Sequence, residues 1–143
     1  TDITRTWPVQ GEFTEEQLKF YNCVREARDE IIKAMKPGVT YGDLQKVGET
    51  VYKKNGLGKY WFGYVGHFVG MSVHDVGSYD IPFVEGVVFN VEPILEDKDK
   101  KIHIRLEDTI VITATGSENL TPQSPIDPKA IYTLMKEKGI GEK

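Results

Sequence analysis

Thiol chemistry is almost missing from this chain, with one cysteine, Cys23, in 143 residues. A lone cysteine closes no internal disulfide, so a disulfide-stapled secreted scaffold is excluded and a reducing, cytoplasmic location fits. Cys23 falls in a predicted helix with no His or metal motif beside it, which reads as a packed, inert thiol. Long apolar runs are missing too. Nothing approaches the roughly 20 residues needed to cross a bilayer, and Thr1-Asp2-Ile3-Thr4-Arg5 lacks the basic and apolar regions of a signal peptide. An excess of positive charge is also absent: 18 Lys and Arg against 22 Asp and Glu give a net charge of −4. Dispersed charge of that sign leaves no electrostatic footprint for nucleic acid. Repeats, linkers and low-complexity segments are likewise wanting. What remains is an ordinary globular composition, 39% hydrophobic and 28% charged, in a chain long enough for one domain with a sizeable core.

The order of elements follows from local signals. Residues 1–8 are rich in β-branched side chains and stop at Pro8, which predicts a strand. Thr14 with Gln17 forms a capping-box signature, and apolar spacing through Leu18, Tyr21, Val24, Ile31 and Met35 predicts a helix ended by Lys36-Pro37-Gly38. Thr40 with Asp43 opens a second helix carrying Leu44, Val47 and Val51, closed by Asn55-Gly56. From Leu57 the pattern turns to strands: a Gly-punctuated extended stretch at 66–75, then strands over 86–94 and 102–113 joined by a lysine-rich loop at 96–101. Asp127-Pro128 reads as the cap of a short last helix. Strand, two helices, strands and a helix predict an α+β fold with a curved antiparallel sheet and flanking helices.

Chemistry is concentrated in a few polar side chains that interrupt apolar strands. Alternation puts Ile102, Ile104 and Leu106 on one face and His103, Arg105 and Glu107 on the other. Glu92, beside Asn90 on an apolar strand and fixed by Pro93, is costly to bury unless it is paired or metal-bound. Two carboxylates on neighbouring strands repel, and a cation between them relieves that repulsion. With Asp2 and His67 they make a set of three oxygen ligands and one imidazole, suited to Mn²⁺, Co²⁺ or Zn²⁺. His67 and His74 are too far apart for a helical zinc motif. Gly63, Gly66 and Gly70 permit close backbone approach to a ligand or metal centre.

Four stretches carry a resemblance: DITRTWPVQGEFT (2–14), GHFVGMSVHDVG (66–77), EGVVFNVEPIL (85–95) and IHIRLEDTIVIT (102–113). In them the chain resembles the pita-bread metallopeptidases, in the Xaa-Pro aminopeptidase and prolidase branch, and nearly all of it is covered. The resemblance implies that residues 1–143 are the C-terminal portion of one catalytic domain. It implies a dinuclear site in which Asp2 and Glu107 bridge two divalent ions while His67 and Glu92 bind one of them. By the same resemblance His74 touches substrate near the scissile carbonyl and Arg105 orients a ligand from behind. The family's first Asp ligand, on the preceding strand of a hairpin, is not in this sequence. The expectation is that an upstream segment or a partner chain supplies it, and that this polypeptide alone is inactive. Many relatives also carry a His where this sequence has Gly63.

The implied activity is metal-dependent hydrolysis of the bond between an N-terminal residue and proline, with Glu92 as the proton relay and a peptide with proline at its second position as substrate. Manganese is the leading metal, and a homo-oligomer is compatible. Xaa-Pro dipeptidase is the nearest rival. A non-catalytic pita-bread module binding peptides or proteins is the alternative from another class, and metal content with cleavage of an Xaa-Pro-Xaa tripeptide discriminates between them.

Overall fold

A computed structural model of the chain describes residues 2–138. Both capping boxes form. The Thr14 side chain accepts from the Gln17 N–H and the Gln17 side chain from the Thr14 N–H, starting α1 (Glu15–Ala34). Thr40 and Asp43 do the same for α2 (Tyr41–Lys54), and Gly56, at φ +69°, follows its C-cap Asn55. Phe20, Tyr21, Cys23, Val24, Ala27 and Ile31 form the buried stripe of α1, with Arg28 set among them. A short 3₁₀ turn at Gly58–Tyr60 leads out of α2, and Asp127 caps the last helix, α3 (Pro128–Leu134).

Among the described residues, five strands complete the fold: β1 (Val88–Val91), β2 (Ile94–Asp97), β3 (Ile102–Arg105), β4 (Asp108–Ile112) and β5 (Ser117–Asn119). β1, β4 and β5 form one antiparallel sheet, and β2 pairs with β3 in a second. The two strands expected over 86–94 and 102–113 are therefore each divided, at Glu92-Pro93 and at Leu106-Glu107. Pro93 brings no N–H to the ladder, which breaks the pairing there. The register does not slip: Val91 faces Asp108 on one side of the break and Ile94 faces Arg105 on the other. Counting through, Glu92 stands opposite Glu107 at the interruption itself.

Two extended segments flank this point. Residues 65–69 run beside β1, with the Glu92 N–H donating to Val65 O at 2.8 Å and the Asn90 N–H to His67 O at 2.8 Å. The stretch expected as an N-terminal strand is extended but makes a single bridge, between Thr4 and Glu107; Thr1 lies outside the described residues. The extended reading of 66–75 also contracts, since only Phe68 bridges, to Phe89, and most residues from Gly70 to Gly86 lie in exposed loop. Short pairing is enough here because side chains replace backbone partners: Thr6 Oγ1 donates to Arg105 O at 2.9 Å and accepts from its N–H at 3.1 Å.

The helices pack on one face of these sheets. Ile104 and Leu106 join α1 and α2 residues in one apolar cluster, while Phe89, Val91, Ile110 and Ile112 join Ile31, Met35 and Leu44 in another. Asn90, Glu92, Glu107 and Thr109 occupy the opposite face, as the alternation requires.

Candidate metal centre

Four neighbouring segments each bring one side chain to the interruption: His67 from 65–69, Glu92 from the end of β1, Glu107 from the start of β4, and Asp2 from the N-terminal stretch. His67 Nε2 lies 3.3 Å from Glu92 Oε1, 3.7 Å from Asp2 Oδ2 and 3.8 Å from Glu107 Oε1. His67, Glu92 and Glu107 are buried, and Asp2 is half-buried.

The imidazole orientation is informative. Its Nδ1 lies 3.0 Å from the Phe68 carbonyl, which can only accept, so Nδ1 carries the proton, and in the neutral ring Nε2 presents a lone pair. That buried Nε2 has no hydrogen-bond partner among the described residues. A lone pair left bare among carboxylates is costly, and a divalent cation satisfies all of these groups together. Ligand atoms of Asp2, His67 and Glu107 lie within 4.8 Å of one another, so the donor set fits a hard or borderline metal ion.

A polar shell holds the carboxylates. Glu107 Oε1 accepts from Asn90 Nδ2 at 2.7 Å, and its Oε2 accepts from the Thr4 hydroxyl. The Thr109 hydroxyl accepts from the Asp2 N–H at 3.0 Å and lies 2.9 Å from Asn90 Oδ1. Glu92 is engaged by Tyr64, whose O–H donates to Oε1 at 2.6 Å, and by Arg105 Nη1, 3.4 Å from Oε2. Burial raises the Glu92 carboxyl above its ordinary range and the Glu107 charge adds to this, against the lowering pull of Tyr64 and Arg105. Burial, and then Glu92, raise the Tyr64 phenol, so it stays a donor.

The structure brings the expected ligands Asp2, His67, Glu92 and Glu107 together and sets Arg105, expected to orient a ligand, beside Glu92. His74 is exposed at the rim, its ring centroid 4.3 Å from that of His67. The glycines act differently from expectation: they meet protein, not a metal centre. A Cβ on Gly66 would stand 1.8 Å from Asn90 O and one on Gly70 2.0 Å from Asp75 Oδ2, while Gly63 adopts φ +83°. Thr4, Tyr64 and Thr109 also line the site without a signal of their own in the sequence, where the Thr-rich opening reads only as strand propensity.

A second missed feature lies one residue away. Asp108, on the helix face, is fully buried and accepts from Arg28 Nε at 2.6 Å and Arg5 Nη2 at 2.7 Å, while the Thr121 hydroxyl donates to it at 2.6 Å. Burial alone would raise this carboxyl, but Arg5, Thr121 and Arg28 outweigh it and hold it below the usual range. Arg5 Nη1 also donates to Glu107 O at 2.6 Å. One guanidinium thus links the stretch carrying Asp2 to the strand carrying Glu107.

Antiparallel sheets backed by helices, with carboxylates and an imidazole gathered where the pairing breaks, define the pita-bread class of α+β proteins. The chain belongs to metallopeptidase family M24, whose family model matches residues 1–114. It is 32% identical to the Xaa-Pro aminopeptidase of Escherichia coli, over 94% of this chain and 37% of that protein. It is 36% identical to the Xaa-Pro dipeptidase of Pyrococcus furiosus, over 85% of this chain and 35% of the relative. Among solved structures, a candidate aminopeptidase P of Bacillus anthracis superposes with a TM-score of 0.91 at 33% identity, covering 98% of this chain and 36% of that one. The chain spans about a third of the length of the relatives it matches.

Proposed function

We propose that this chain is the C-terminal portion of the catalytic domain of a metal-dependent Xaa-Pro aminopeptidase. The observation that carries the reading is the bare, buried Nε2 of His67 facing three carboxylates. Asp2, His67, Glu92 and Glu107 would hold two divalent ions, with Mn²⁺ favoured and Co²⁺ or Zn²⁺ compatible, and a further carboxylate from outside these residues would complete the set. What a divalent ion supplies when bound there is Lewis acidity toward the peptide carbonyl and toward water.

The protein's own groups do the rest. Glu92, buried and held at both oxygens, carries a proton from the attacking water to the departing proline nitrogen. That nitrogen has no N–H in the substrate, so protonation is what releases it as an amine. Arg105 orients Glu92, and His74 at the rim hydrogen-bonds the substrate near the scissile carbonyl. The raised Glu92 carboxyl suits a group that must accept and then return a proton. The reading places the enzyme in the cytoplasm, in keeping with its single thiol.

The test is metal content and cleavage by the intact protein. Bound Mn²⁺ or Co²⁺ with release of the first residue from an Xaa-Pro-Xaa tripeptide supports the proposal. Cleavage of Xaa-Pro dipeptides alone moves it to the dipeptidase reading, which the Pyrococcus relative supports. An intact protein that takes no metal and leaves both peptides uncut is a binding module instead.

A further inference from the structure

Tyr64 stands outside the ligand set, yet its phenol reaches into it. The O–H donates to Glu92 Oε1 at 2.6 Å, a closer contact than Arg105 makes with Oε2 at 3.4 Å. The same Oε1 lies 3.3 Å from His67 Nε2. The Glu92 oxygen that faces the imidazole lone pair is therefore already engaged. Asp2, His67 and Glu107 meanwhile converge within 4.8 Å without any contribution from Glu92.

The phenol is held in place from several sides. Phe62 stacks on the Tyr64 ring, 6.4 Å between centroids and 8° from parallel. Gln45 Nε2 donates to Gly63 O at 2.6 Å, and the Tyr41 hydroxyl accepts from the Val65 N–H at 3.1 Å. Tyr41 and Gln45 are one turn apart on α2, so a single helix grips the backbone on both sides of Tyr64. Gly63, at φ +83°, makes the turn between the stacked rings that this grip requires.

We propose that Tyr64 is a positioning residue for Glu92: its phenol claims Oε1, weakens that oxygen as a donor to a cation at His67, and keeps Glu92 turned for proton transfer. A carboxylate oxygen whose lone pair is taken by a short charge-assisted hydrogen bond has less of it to offer a metal. This rests on the metal-site reading above and deepens it by separating the role of Glu92 from those of Asp2, His67 and Glu107.

Tyr64→Phe removes the hydroxyl and leaves the ring stacked on Phe62. In the intact protein, calorimetric titration with Mn²⁺ is expected to give about tenfold tighter binding, the worth of one freed hydrogen bond. On an Xaa-Pro-Xaa tripeptide kcat is expected to fall about tenfold while KM stays within about twofold, the pattern of an interaction made in the transition state. A third readout needs no metal: the ¹³C resonance of the Glu92 carboxyl carbon in metal-free protein shifts on removal of the hydroxyl. Unchanged Mn²⁺ affinity and kcat, or an unmoved resonance, overturns the proposal. Failure of the metal reading itself looks different, since a wild type that takes no Mn²⁺ would still show the Glu92 shift.

Discussion

At the scale of the residue, two adjacent carboxylates meet opposite demands. Glu107 points from the sheet toward Asp2 and His67 at the candidate metal centre, and Asp108 points the other way, into the helix-backed core. Nothing in the sequence distinguishes them except alternation, because the cations that satisfy Asp108 come from positions 5 and 28. Asp108→Ala removes the buried counter-charge shared by Arg5 and Arg28, leaving Arg28 only the half-exposed Asp29, and is expected to cost about 3–5 kcal/mol in denaturant unfolding. The pH dependence has a definite sign. The folded carboxyl is held below its unfolded value of about 3.9, so its contribution is complete above that pH. It is lost as pH falls through the folded value, and the gap in stability between wild type and Asp108→Asn should close over that acid range. Cys23 behaves as the sequence indicated: burial pushes its thiol up to about 12, with Glu26 adding.

At the scale of the element, the helices were legible and the strands only partly so. Caps act within a few residues, so Thr14–Gln17, Thr40–Asp43 and Asp127-Pro128 located three helix starts without tertiary information. The strands depend on partners far along the chain. Propensity reads 86–94 and 102–113 as continuous, and the interruption at Glu92 and Glu107 becomes visible only when one is laid against the other. That interruption makes room for flanking segments to approach, and Gly66 is where the approach is tightest. Gly66→Ala would drive a Cβ to 1.8 Å from Asn90 O. The expected result is a loss of about 3 kcal/mol, read as a Tm lower by about 10 °C, with weaker metal binding because His67 is displaced from β1.

At the scale of the whole molecule, the centre joins positions 2, 67, 92 and 107, so it exists only in the folded chain. On the proposed function, metal binding and folding are linked: an ion that binds the native state alone would stabilise it by about 2.7 kcal/mol at a hundred times its dissociation constant. Chelation should lower the Tm of Mn²⁺-loaded intact protein accordingly, and His67→Ala should abolish the difference between loaded and chelated samples. A shift that survives His67→Ala would place the ion elsewhere. The sequence by itself determined the helix caps, the α+β order and the polar interruptions that mark the ligands, because these are properties of neighbours along the chain. Tertiary structure alone decided that Glu92 faces Glu107, that Tyr64 holds Glu92, and that Arg5 and Arg28 neutralise Asp108. Those pairings are made across strands and between sheet and helix, where proximity is set by register and packing and leaves no trace in local spacing.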